Sequence, residues 1–216
     1  MSLDELPNSD HSSSLRQRVE FFAAVILGLA GVAAAWSSYQ AARWSGVQAT
    51  EFTQAQALLM ESTRESAAGD AERAIDVMTF SAWIEAYARG DERLMTFYRQ
   101  RFRPEFATAF EVWLGSEPQT NPDAASTPFV MQQYDRARTA AAAELENRAQ
   151  AAFERGRSAN EVGDRHVLSV VLFATVLFMA GISPHSRLVG VQIGLLSVAL
   201  MIFAFALYGM ATLPNA

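Results

Sequence analysis

Residues 188–213 read LVGVQIGLLSVALMIFAFALYGMATL, and no formal charge interrupts them. A helix needs about 20 mostly apolar residues to cross the hydrocarbon core of a bilayer. Lipid offers no partner to a bare backbone, so such a segment spans as a helix or within a closed barrel. Just upstream, Val167–Ile182 is a second apolar run rich in Val, Leu and Phe, closed by Pro184. Ser183 to Arg187 leaves only a short turn, so the two runs form an antiparallel hairpin. A third run lies near the other end, from Val19 to Trp36, uncharged from Phe21 onward. The expected organisation is a flexible tail at 1–18, spans at 19–40, 166–183 and 188–213, a turn at 184–187, and one domain at 41–165.

The composition agrees with this division. Half of the chain is hydrophobic and 19% is charged, against about 25% charged in an average soluble domain. The charges crowd the middle rather than spreading evenly. All 17 basic residues are arginine, a coding habit that points to a GC-rich bacterial genome. With no cysteine, disulfides and thiolate metal sites are impossible. A net charge of −6 argues against a nucleic-acid partner, which would want a basic face.

Orientation follows from arginines in short connections. Arg16 and Arg18 precede the first span and Arg187 lies in the hairpin turn, which makes tail and turn cytoplasmic. The domain at 41–165 then faces the periplasm or the cell exterior, in the inner membrane of a bacterium. Trp36, Tyr39, Trp44 and Tyr208 fit the aromatic belts of the interfaces. Arg16, Arg18 and Ala33-Ala34-Ala35 also imitate a secretory leader with its cleavage site; the length of the segment and Asp4, Glu5 and Asp10 speak against cleavage.

Between the spans every strong signal is helical. Phe52, Ala55, Leu59, Ser62 and Ser66 recur at three- and four-residue steps. Gly69-Asp70 reads as a helix break with Asp70 as N-cap. A helix over 71–88 is then expected to bury Ile75, Met78, Trp83, Ile84 and Tyr87. Gly90-Asp91 ends it and caps a third helix over 92–114 carrying Leu94, Phe97, Tyr98, Phe102, Phe106, Phe110 and Trp113, which Pro104 should kink or split. Ser116 to Pro128 is an exposed linker. Phe129 to Glu161 reads as an alanine-rich helix with Val130, Tyr134, Ala137, Ala141 and Leu145 spaced as a coiled-coil seam. The fold class is therefore all-α, three transmembrane helices with a helical, partly coiled-coil-like domain between the first and second.

The order of a membrane helix, W-x-x-Y-Q-A (Trp36 to Ala41), a helical outer domain, and D-R-H (Asp164 to His166) leading into a terminal hairpin resembles an uncharacterised bacterial family of small three-pass membrane proteins, a domain of unknown function. The resemblance implies this architecture and no activity.

Three groups of residues are candidates for a role. Gly190 and Gly194 form a GxxxG continued by Ser197, and Gly28 and Gly31 offer a similar small face on the first span; small residues let membrane helices approach closely, between copies or within one chain. Asp164 and His166 form a candidate pH switch at the interface, against the plainer reading of a residue marking where the helix enters lipid. Arg99, Arg101 and Arg103 interleave with Phe102, a pattern that stacks on a ligand or on anionic headgroups, or else is one solvated and one buried face of a helix. Gln192 is the only amide in the third span and needs a partner there.

No histidine pair at metal spacing, P-loop or nucleophile elbow is present. No catalytic activity, cofactor or metal is therefore expected. The expected role is a membrane-anchored helical assembly or interaction protein that self-associates in the bilayer, with a membrane or periplasmic protein partner left open. The alternatives are a homo-oligomeric pore or transport subunit, and an outward-facing sensor of ligand or lipid acting through a partner.

Overall fold

The computed structural model describes the backbone of residues 8–134, 136–186 and 188–216, with side chains from residue 17 onward. The side chains of His11 and Arg16 therefore lie outside the described residues, as does Arg187, one of the three arginines behind the orientation. Among the described residues the chain is all-helical: α1 (Asn8–Arg89), α2 (Glu92–Arg99), α3 (Pro104–Gly115), α4 (Ala137–Ile182) and α5 (Val189–Thr212), with short 3-10 turns at Pro128–Val130 and Ser183–His185. Helix α1 begins at Asn8, inside the segment expected as a flexible tail; elongation adds one hydrogen bond per residue once a helix is nucleated. The helices group into two compact units, one holding the described residues up to Thr53 with Ala152–Ala216, the other Gln54–Ala151.

In the first unit, α1 buries Ala23, Ala30, Ala33, Ser37 and Gln40, and α4 buries Ala152, Gly156, Ala159, Gly163, His166, Ser169, Phe173, Val176 and Ala180. These positions alternate in steps of three and four or their sums, which keeps one stripe along a helix. Helix α5 joins with Gln192, Ala199 and Ala206, and Ala30, Ala33, Phe173, Val176, Ala199 and Ala206 form one cluster. Most of the buried residues are small, so the backbones come close. A Cβ on Gly156 would fall 2.5 Å from the Phe52 ring, and that ring stacks on Phe153 at 4.9 Å. The opposite faces expose Phe21, Phe22, Val32, Leu168, Phe178, Met201 and Phe205, a surface suited to lipid. Three helices are long and apolar enough to cross a membrane, at the three places the sequence indicates.

In the second unit, the break expected at Gly69-Asp70 is absent, and α1 runs through it. The physical reason is packing: this turn of α1 lies against α4, where a Cβ at Gly69 would meet the Arg138 Cβ at an ordinary contact distance of 3.4 Å. That contact offsets the roughly 1 kcal/mol cost of glycine within a helix. The buried face also differs from the expected one. Trp83 is buried, but Ile75, Met78, Ile84 and Tyr87 are exposed, and Asp76, Phe80 and Ala86 lie inside instead. In the preceding stretch Ala55 is buried, whereas Leu59 and Ser66 are exposed.

Gly90, with φ +69°, ends α1, and the Asp91 carboxylate accepts the Leu94 N–H at 2.9 Å to cap α2. Pro104 does split the third helix. Arg103 before it is extended and α3 starts at the proline, because the ring disfavours helical backbone in the preceding residue. Helix α4 begins at Ala137 rather than Phe129. Val130 is exposed and Tyr134 belongs to the aromatic cluster; Ala137 and Ala141 are exposed while Ala142 and Ala149 are buried, so the seam is displaced by one residue from the expected alanines.

The core of this unit is aromatic: Phe80 and Trp83 of α1, Phe102 in the α2–α3 turn, Phe106, Phe110 and Trp113 of α3, then Phe129 and Tyr134. Most rings meet edge-on or tilted, as for Phe102 with Phe106 at 4.9 Å and Phe80 with Phe110 at 6.3 Å, while Phe106 stacks on Phe129 and Phe80 on Trp83. The indole N–H of Trp113 donates to the Ala125 carbonyl at 2.8 Å and pins the proline-rich loop. Phe106 is 0% exposed and touches five other rings. Phe106→Ala should therefore cost about 3–5 kcal/mol, read as a lowered midpoint in near-ultraviolet circular dichroism. An unchanged midpoint would contradict this core.

Candidate functional site

The densest set of interacting charged groups in the second unit surrounds Asp76. The three-and-four spacing of α1 points Glu65, Glu72 and Asp76 toward the start of α4, and Asp76 is 0% exposed. A buried carboxylate is costly unless paired and hydrogen-bonded. Arg103, held extended ahead of Pro104, supplies the partner: its Nε donates to Asp76 Oδ1 at 3.0 Å and its Nη2 to Oδ2 at 3.1 Å. The Tyr134 hydroxyl donates to the same Oδ2 at 3.0 Å. Three separate parts of the chain therefore meet on one carboxylate.

Glu72 extends the network. It bridges Arg103 Nη1 at 2.9 Å and Arg138 Nε at 2.6 Å, and Arg138 Nη1 also reaches Glu65 at 2.9 Å. The hydrogen bond from Arg138 holds the Glu72 carboxyl below its ordinary range, and that from Glu72 raises Arg138. The hydrogen bond to Asp76 raises Arg103. Burial, and then donation to Asp76, pushes the Tyr134 phenol up to about 12. Beside this network opens a cavity of about 420 Å³, lined by α1 around Gly69–Arg73, by Arg103 and Glu105, and by Tyr134 and Arg136–Thr139.

Arg99, Arg101, Arg103 and Phe102 do not share one surface. Phe102 is core, Arg103 belongs to the Asp76 network, and Arg99 pairs with Glu111. Arg101 alone keeps the stacked arrangement, its guanidinium 3.5 Å from the Phe97 ring centre. Asp164 and His166 are also apart, since residues two apart on a helix face different ways. Asp164 accepts from Asn160 at 3.1 Å, while His166 is buried.

Residues of the two short motifs that frame the domain at 41–165, with Trp44, meet one segment. The Gln40 amide donates to Asn215 Oδ1 at 2.7 Å, Trp44 Nε1 donates to the Pro214 carbonyl at 3.2 Å, and His166 Nε2 lies 3.4 Å from that same carbonyl. A carbonyl only accepts, so this hydrogen bond places a proton on Nε2. The Gln192 amide finds its partner in the Ser186 carbonyl at 2.8 Å. Gly28, Gly190, Gly194 and Ser197 are exposed and Gly31 half-buried, and a Cβ at any of the four glycines would meet nothing within 4 Å. Their small faces are not used within the chain.

The sequence reading missed Asp76, Glu72, Tyr134 and Arg138. The signal was present in α1, where Glu65, Glu72 and Asp76 occupy the phase that buries Ala55 and Trp83. Comparison with family models, with curated proteins and with solved structures finds no match to this chain.

The Tyr134 phenol predicts a pH dependence. Its folded value lies above the ordinary 10, so its contribution to stability is fully present below pH 10 and is lost as pH rises through about 12. Phenolate absorbance of the folded protein should show one of its five tyrosines ionising late, a step missing in Tyr134→Phe. Simultaneous ionisation of all five would contradict the arrangement.

Proposed function

We propose that the protein is a membrane-anchored helical assembly protein that associates with further copies of itself, with the domain between its first two spans acting as a contact element outside the bilayer. The observation that carries this reading is a face of α1 in the second unit. Met60, Ala67, Ala71 and Met78 recur at helical spacing on the side opposite Asp76 and Trp83, with Ile75 on its flank, and all are exposed, Ile75 at 52% and Met78 at 71%. A row of large apolar side chains outside the apolar spans marks an interaction surface. The alanines among them allow close helix approach, in the manner of a coiled-coil seam.

A second copy suits this face. Copies anchored in one membrane are related by an axis along its normal, so their α1 helices run parallel and present the same residues to one another. Within the spans, Gly28 and Gly31 on α1 and Gly190, Gly194 and Ser197 on α5 supply small faces free of contacts inside the protomer. Association in lipid relies on such close packing, because the tails are as apolar as the side chains.

Native mass measurement in detergent and in lipid tests the proposal. The unaltered chain should be oligomeric. Ile75→Asp with Met78→Asp, and separately Gly194→Ile, should shift it toward monomer without loss of helix content. A chain that is monomeric in both media would overturn self-assembly and leave a role that depends on a different partner.

A further inference from the structure

The cavity beside Asp76 has an uneven distribution of charge. Four arginines line it, Arg73, Arg103, Arg136 and Arg138, with Asp70, Glu72 and Glu105. Two of the arginines are spoken for: Arg103 by Asp76, Glu72 and Glu105, and Arg138 by Glu72 and Glu65. The other two are not. Among the described residues Arg73 makes no ion pair, and Arg136 donates only to the Phe129 carbonyl, at 3.1 Å. Of the three carboxylates that line it, Glu72 is engaged by Arg103 and Arg138 and Glu105 by Arg103, which leaves Asp70 as the one lining carboxylate without an ion pair among the described residues against the charges of Arg73 and Arg136. The first turn of α4, Ala137–Thr139, lines the same space, and a helix N-terminus adds partial positive charge.

A volume of about 420 Å³ lies within the range of small-molecule sites. Guanidinium groups pair with carboxylate and phosphate oxygens in fixed two-point geometry. We infer that this cavity binds a small dianion, a dicarboxylate or a phosphate monoester, whose two negative charges are met by Arg73 and Arg136. The Asp76 network acts as the scaffold: it holds Arg103 and Arg138 in place, so that the site is preformed and only Arg73 and Arg136, neither of them in an ion pair among the described residues, reorganise on binding. Arg73 comes from the helix that carries the exposed apolar face, and Arg136 immediately precedes α4. A bound dianion therefore ties α1 to the start of α4 within this unit.

Calorimetric titration of the full chain in detergent tests the site, with inorganic phosphate and succinate as small probes, a short-chain phosphatidylglycerol as the lipid-borne phosphate, and sodium chloride as the control for ionic strength. Saturable binding of phosphate or succinate is expected, weakened by added chloride. Arg73→Gln with Arg136→Gln should weaken it by about tenfold or more, while Arg99→Gln, which lies in a different ion pair, leaves it unchanged. The double variant should keep a cooperative thermal transition, lowered by no more than the loss of the single hydrogen bond from Arg136 to the Phe129 carbonyl. No saturable binding of either small probe, binding of the lipid probe alone, or binding unaltered in the double variant would overturn the inference. None of these outcomes depends on whether copies assemble, because each is read per chain.

Discussion

The close pairing of α1 with α4 is the constraint from which each unit is built. In the first unit the contact runs through Phe52 against Gly156 and Trp44 against Gly163; in the second it runs through Ser62, whose hydroxyl donates to the Ala142 carbonyl at 2.8 Å, and through Gly69 against Arg138. Small residues recur on the α4 side, and at Gly156 the Phe52 ring leaves no room for a Cβ. Such a seam buries little area per residue, and at about 25 cal/mol per Å² its stabilisation comes from length rather than from any one side chain. A long seam of small residues in turn leaves the large apolar residues to point outward. In the spans lipid covers them, and in the second unit Ile75 and Met78 have no cover from their own chain.

The second unit adds what the seam cannot supply. Its aromatic cluster gives it a core of large buried side chains, and the Asp76 network joins that core through Tyr134. Replacing one partner of a buried ion pair typically costs about 3–5 kcal/mol, because the other is left buried and unpaired. The network therefore specifies geometry more than it adds net stability: α1, the residue before α3 and the residues before α4 must all arrive correctly for the carboxylate to be satisfied. Ion pairs at the exposed margin, such as Arg89 with Glu85, both 68% exposed, contribute little by comparison.

Much of the architecture could be read from the residues. The uncharged run at 188–213, the proline at 184 and the Gly90-Asp91 cap each have one structural meaning, and the helices obey them. Pro104 acted as expected for the same reason. The errors arose where tertiary packing overrode a local rule. Gly69 looked like a break because glycine is poor in helices, yet the packing of this turn against α4 carries the helix through it. Ile75 and Met78 looked like core because they are apolar, while the buried phase of the helix belongs to Asp76, Phe80 and Trp83. A carboxylate in a buried phase is legible only once its arginine is known, and Arg103 lies 27 residues away with no local pattern linking the two. The Arg99–Arg103 segment looked like one surface because its alternation was judged along the sequence; the turn between α2 and α3 sends its members in different directions.

The pairing of α1 with α4 can be tested directly because the chain has no cysteine of its own. Disulfides form only between residues whose Cα atoms lie within about 7 Å. Introducing Ser62→Cys with Ala142→Cys should give rapid, near-complete intramolecular disulfide formation under mild oxidation. Ala67→Cys with Ala142→Cys, which moves one thiol onto the exposed face of α1, should remain reduced. Failure of the first pair to close, or equal closure of both, would contradict the register on which this account of the fold depends.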